Sequence, residues 1–292
     1  MESVARFFRR PDHHFFLFGP RGTGKTTWLR RNLPGAVFLD LLSPGEQRLY
    51  EARPERLREL LAPLPRPCIL VVDEIQRVPA LLSLIHQIIE DREGVRFVLT
   101  GSSSRKLKRS GVDLLGGRAW VRRMHPFMAA ELGSAFSLER ALEQGTVPLV
   151  WASPDPAESL RSYLGVYIRE EVQAEGLVRD LGSFGRFVEA VSFSHGSLLN
   201  LAEVARECAV NRKTVEGYAE VLEDLLLSFR LPVFTRRARR QLVSHPKFYW
   251  FDSGVFRSAR PSGPLDRPSE LAGPALEGLV AQHLRAWNDL GG

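Results

Sequence analysis

The chain has 292 residues, is 44% hydrophobic and 25% charged, and carries a formal net charge of +6. This is an ordinary globular composition for about two domains. With no apolar stretch near the roughly 18 residues of a membrane span, and with Cys68 and Cys208 forming no disulfide or metal pattern, it points to a protein of the reducing cytoplasm without a membrane partner. The N-terminus lacks a signal-peptide core, and the basic balance, mostly arginine, permits nucleic-acid binding without showing it.

The first element is an apolar strand, Phe15-Phe16-Leu17-Phe18, followed by Gly19-Pro20-Arg21-Gly22-Thr23-Gly24-Lys25-Thr26-Thr27. Gly19, Gly24, Lys25 and Thr26 fit G-x-x-x-x-G-K-[S/T], a loop whose backbone N–H groups wrap a polyphosphate. Strand, glycine-rich turn and helix start together make an anion site, because the first helical N–H groups are unpaired and point at the ligand. Residues 19–27 are therefore expected to hold ATP, with Lys25 on the β- and γ-phosphates and Thr26 on Mg2+. A plain glycine-rich surface turn is the alternative.

Strands are expected near 14–18, 36–41, 68–72, 95–100 and 119–123. Helices fall between them, one from Ala80 to Asp91 with Leu81, Leu84, Ile85, Ile88 and Ile89 at helical spacing. This alternation predicts an α/β fold, a parallel sheet with helices on both faces. The strand Cys68–Val72 ends in Asp73-Glu74. Asp73 suits the Mg2+ shell, and Glu74 suits activation of a water for in-line attack, which favours hydrolysis over phosphoryl transfer to a small molecule. The strand Val95–Thr100 runs into Gly101-Ser102-Ser103-Ser104. A hydroxyl there is placed to sense the γ-phosphate, Ser102 first and Thr100 second, although serine is equally a helix N-cap.

Residues 126–184 change character and read as a small helical lid, with Arg161 and Arg169 as candidates for a phosphate contact. Residues 185–260 read as a winged helix. A helix spans Phe184 to Ser194, a second runs from Leu199 to Glu207, Asn211 caps a third from Arg212 to Leu226, and strands follow at Phe229–Phe234 and Lys247–Phe251. Arg212, Lys213 and Thr214 open the expected recognition helix, with Tyr218 one turn on. Arg236, Arg237, Arg239 and Arg240 form a basic wing suited to DNA phosphates. Protein docking or a merely solvated basic loop are the alternatives. Residues 261–272 read as a linker and 273–290 as a last helix.

Taken in order, several segments resemble one family. They are Gly19–Thr27, Val72-Asp73-Glu74-Ile75-Gln76-Arg77-Val78-Pro79, Leu99-Thr100-Gly101-Ser102, Gly117-Arg118 with Pro126-Phe127, Asn200–Ala205, Thr214–Tyr218 and Pro246–Trp250. The family is the prokaryotic AAA-type ATPases carrying a C-terminal domain of unknown function numbered 4143. The resemblance spans roughly residues 10–290 and implies an AAA+-like P-loop NTPase core, a helical lid, a winged helix and often a nuclease-like C-terminal domain. Gly273–Val280 is similar to the opening helix of that last domain, but no Asp…Glu-x-Lys arrangement follows, so no nuclease activity is expected. The resemblance also implies that Arg118 reaches a neighbouring subunit's γ-phosphate. An arginine capping the preceding helix is the alternative.

The expected function is an ATPase working with Mg2+ in an oligomeric ring, a hexamer first, coupled to binding or remodelling of DNA such as branched or junction DNA. The alternative is an ATP-gated regulatory or defence switch whose winged helix binds DNA or a protein. A small-molecule kinase is disfavoured by Glu74 and the appended winged helix.

Overall fold

The structure, a computed structural model, describes residues 4–103, 115–174, 178, 180–234, 245–263 and 267–291. The chain divides into two compact units, one formed by Phe8–Met124 and one by Met1–Phe7 with His125–Gly292.

The first unit holds β1 (His14–Phe18), α1 (Lys25–Asn32), β2 (Val37–Asp40), α2 (Pro44–Ala52), α3 (Arg56–Leu61), β3 (Cys68–Asp73), α4 (Leu81–Glu90), β4 (Val95–Gly101) and β5 (Ala119–Arg123). Five parallel strands lie in the order β2-β3-β4-β1-β5. Successive residues of β1 and β3 are buried, Phe15 to Phe18 and Leu70 to Val72. Such runs arise when both faces of a strand are covered, as in a parallel sheet between helices. Helix α4 contributes Leu81, Leu82, Ile85 and Ile88 to the core.

The register decides where the chemistry gathers. Phe18 pairs with Gly101 and with Arg123, and Asp40 pairs with Asp73, so all five strands end at one edge. Because β4 lies between β1 and β3, its last residues stand between the loop after β1 and the carboxylates after β3.

The second unit is helical, with one small sheet. It contains α5 (Ala129–Leu132), α6 (Leu138–Gln144), α7 (Pro148–Trp151), α8 (Pro156–Ser162), a π-helical stretch at Tyr163–Ile168, α9 (Arg169–Ala174) and α10 (Leu181–Ser192). There follow β6 (Ser197–Leu198), α11 (Leu201–Glu207), α12 (Arg212–Asp224), β7 (Ser228–Leu231), β8 (Lys247–Trp250), α13 (Ser253–Ala259) and α14 (Pro268–Asp289). Side-chain caps set several helix starts. Asn200 accepts from the N–H groups of Ala202 and Glu203, and Asn211 from that of Thr214. The antiparallel sheet runs β6-β8-β7.

A large core joins most of this unit. Val150, Leu160, Tyr163 and Ile168, from the stretch expected as a lid, pack with Phe184, Phe187, Val215, Trp250, Phe256 and Ala275. Residues 4–7 belong here as well: the nearly buried Arg6 guanidinium pairs with Glu131 at 3.1 Å and lies over the Phe127 ring. Helix α14 is longer than expected and takes in part of the predicted linker. Pro268 sits in its first turn, where a missing N–H costs nothing, and Pro274 is accommodated inside it.

Candidate nucleotide site

Residues 19–24 form the turn between β1 and α1, and Lys25, Thr26 and Thr27 form the first turn of the helix. Gly22 and Gly24 hold φ of +80° and +87°, a region that side chains with a Cβ rarely enter. Gly24 occupies the N-cap position with no capping side chain, which leaves the helix start suited to an anion. Gly19, Pro20 and Thr23 are buried, whereas Arg21 and Thr27 are exposed. The Thr23 hydroxyl donates to the Pro20 carbonyl at 2.8 Å and steadies the turn. Lys25, only 6% exposed, lies along the loop and donates from Nζ to the carbonyls of Gly19 at 2.6 Å and Pro20 at 3.2 Å. Its charge is thus held inside the phosphate-binding turn.

The carboxylates converge on this turn. Asp73 is the last residue of β3 and is buried. Its Oδ2 accepts from Thr26 Oγ1 at 2.6 Å, and its Oδ1 accepts from the Thr100 hydroxyl. Thr100 Oγ1 in turn accepts from the backbone N–H of Glu74 at 3.0 Å. One threonine therefore ties both acidic residues to the end of β4. Glu74 Oε2 accepts from the Ser102 N–H at 3.3 Å, from Ser102 Oγ at 3.2 Å and from Gln76 Nε2.

The donor set fits Mg2+. Thr26 Oγ1 and Asp73 Oδ2 are hard oxygen ligands already in contact, and Mg2+ is commonly held by one or two such groups together with substrate phosphates and water. Among the described residues no cluster of three or more His, Cys, Asp or Glu side chains forms a protein-only metal cage.

Other expected residues lie elsewhere. Arg118 precedes β5, whose Ala119 pairs with His14 at the start of β1. It therefore sits at the opposite edge of the sheet from its own phosphate-binding turn, roughly 15 Å away along the strands. There it forms an ion pair with Glu90. In the second unit Arg212 and Lys213 are exposed at the start of α12. Thr214 spends its N–H and hydroxyl on the Asn211 cap, at 2.8 and 3.0 Å. Tyr218 is not on the outer face of that helix. It is buried against Phe184 and Phe187, with ring centroids 5.3 and 5.4 Å away, which makes it a core residue. Arg161 pairs with Glu158 and Arg169 is exposed. Arg236, Arg237, Arg239 and Arg240 lie outside the described residues.

Sequence reasoning ranked Thr100 behind Ser102 and gave Gln76 no role. Thr100 was within reach of the rule that parallel sheets bind ligands beyond their strand ends. Nothing in the spacing singled out Gln76.

Comparison with known families agrees with this geometry. Residues 12–133 match a family model described as an AAA domain. The match supports an AAA-type ATPase family and, with the parallel five-stranded sheet, a P-loop NTPase fold, and it suggests a nucleotide-dependent ATPase. Residues 135–266 match a domain of unknown function numbered 8612. The number 4143 implied by the resemblance is not the one matched there. No curated protein matches the chain. Among the described residues no helix is long and apolar enough to cross a membrane.

Proposed function

We propose that the protein hydrolyses ATP with Mg2+ as an AAA+-type ring ATPase and couples that hydrolysis to DNA through a winged helix. The observation that carries the ATPase reading is the chain Thr26–Asp73–Thr100–Glu74. It brings a metal-ligand pair and a second carboxylate to the phosphate-binding turn. Lys25 and the backbone N–H groups at the start of α1 bind and orient the triphosphate. Thr26 and Asp73 hold Mg2+, which supplies charge neutralisation on the phosphate oxygens. Glu74 orients the attacking water and takes its proton. Ser102 and Thr100 keep the carboxylates aligned.

Arg118 is assigned to a neighbour's γ-phosphate. Its place at the far edge of the sheet argues against action on its own site, and a finger supplied in trans is worth several orders of magnitude in turnover. This supports assembly into a ring, with a hexamer as the first candidate.

The winged-helix assignment is supported by the order helix, strand, helix, helix, strand, strand from α10 to β8, and by the sheet order β6-β8-β7. Arg212 and Lys213, with the four arginines of segment 235–244, would contact DNA phosphates. With Thr214 and Tyr218 otherwise engaged, backbone or shape recognition is favoured over base readout. A second reading, an ATP-gated switch that docks a protein, is supported by the exposed Leu231, Val233 and Phe234 beside β7.

Size measurement with and without ATP, followed by ATPase assays on linear, single-stranded and four-way DNA, separates the two. The ring reading predicts ATP-dependent oligomers and DNA-stimulated turnover with a steep salt dependence, which Arg212→Ala and Lys213→Ala each reduce by about one unit of slope. No DNA binding at low salt would remove it in favour of the switch.

A further inference from the structure

Glu74 carries a backbone conformation unusual for its residue type, φ 59° and ψ 49°, immediately after β3. Left-handed conformations at side-chain-bearing residues persist where the surroundings over-determine them. Here the backbone N–H is held by Thr100. The carboxylate is held through a single oxygen, Oε2, by Ser102 N, Ser102 Oγ and Gln76 Nε2.

Gln76 links these groups. It is only 6% exposed, and its Nε2 also donates to Ser102 Oγ at 3.0 Å. Its Oε1 is buried without a hydrogen-bond partner, an arrangement that costs stability. Turning the amide over would set Oε1 against the Glu74 carboxylate, replacing a hydrogen bond with a repulsion. The fold makes room for this costly placement: a Cβ at residue 101 would stand 2.7 Å from Gln76 Oε1, and glycine is the residue there.

We infer that Gln76 is a positioning residue for hydrolysis. Its amide clamps one oxygen of Glu74 and shares Ser102 in doing so, which leaves the other oxygen to face the attacking water. An amide suits this role because it donates to the carboxylate without competing for the proton that the carboxylate must take. The inference rests on Glu74 being the general base, as proposed above.

The test uses the full chain. Gln76→Met keeps the volume and removes the donor; steady-state ATP turnover is compared with affinity for an N-methylanthraniloyl-labelled ATP. The clamp predicts kcat lower on the order of 10–100-fold with unchanged nucleotide affinity. It also predicts no further loss when Gln76→Met is combined with Glu74→Gln, since Gln76 acts only through that carboxylate. If Gln76→Met keeps wild-type kcat while Glu74→Gln is inactive, the clamp is overturned and the ATPase reading stands. If Glu74→Gln itself keeps wild-type turnover, the general-base reading falls first and the clamp with it. Circular dichroism monitors folding. Should Gln76→Met not fold, Gln76→Asn, too short to reach Glu74 Oε2, carries the same comparison.

Discussion

Thr26 Oγ1 donates to Asp73 Oδ2 at 2.6 Å, joining the first turn of α1 to the end of β3 across 47 positions of sequence. In the proposed ATPase, these two hard oxygens would hold Mg2+. Thr26→Ala is expected to raise the Mg2+ concentration needed for half-maximal hydrolysis at fixed ATP by about tenfold or more, while Thr26→Ser retains the wild-type requirement. A Mg2+ titration of phosphate release measures this.

Arg118 stands at the edge of the sheet opposite its own phosphate-binding turn and pairs with Glu90. Arg118→Ala should abolish hydrolysis on the order of 10³-fold and leave nucleotide binding intact. Mixing Arg118→Ala with Glu74→Gln should restore partial activity, because some interfaces then combine an intact Glu74 with an intact neighbouring Arg118. No recovery on mixing, with both variants assembling normally, would contradict action in trans. Wild-type turnover in Arg118→Ala alone would remove the role altogether.

The first unit was largely legible in the sequence. All five strands lie where they were expected, and β1, β3 and β4 were the plainest, because central strands covered on both faces read as runs of Val, Leu and Phe. The place of the loop and of Asp73-Glu74 at the strand ends was legible because the G-x-x-x-x-G-K-[S/T] pattern and a carboxylate pair closing an apolar strand stand out at fixed spacing. Gln76 was not legible, since its role comes from the register that sets β4 beside β3 and brings Ser102 to it. Tyr218 misled for a related reason: position on a helix is readable from spacing, but the face it turns to the core depends on Phe184 and Phe187, which lie far away in sequence. The start of α14 was obscured by Pro268, which with its neighbours read as linker although a helix tolerates proline in its first turn.

Asp252 predicts a pH effect on stability. Its buried carboxylate caps α13 through the N–H groups of Gly254 and Val255 and accepts from that of Thr146. Burial nonetheless pushes its pKa up from 3.8 to about 6. A raised folded value means that the native state holds the proton more tightly than the unfolded chain. This contribution is fully present below pH 4 and is lost as pH rises through about 6. The loss amounts to at most about 3 kcal/mol. Urea unfolding across that range should show a downward slope in the wild type that Asp252→Asn lacks. Asp252→Ala, which strips the cap and orphans several buried N–H groups, should cost about 3 kcal/mol below pH 4 and progressively less as pH rises through about 6. Matching slopes in wild type and Asp252→Asn would assign the titration to other groups.

The central claim is that Lys25 binds the triphosphate and Glu74 drives its hydrolysis. Phosphate release from ATP, measured with labelled-nucleotide binding on the same preparations of wild type, Lys25→Ala and Glu74→Gln, tests it most directly. The predicted result is turnover in the wild type, loss of both binding and turnover in Lys25→Ala, and retained binding with turnover about 100-fold lower or less in Glu74→Gln. Wild-type phosphate release from Glu74→Gln, or undiminished nucleotide binding by Lys25→Ala, would contradict it.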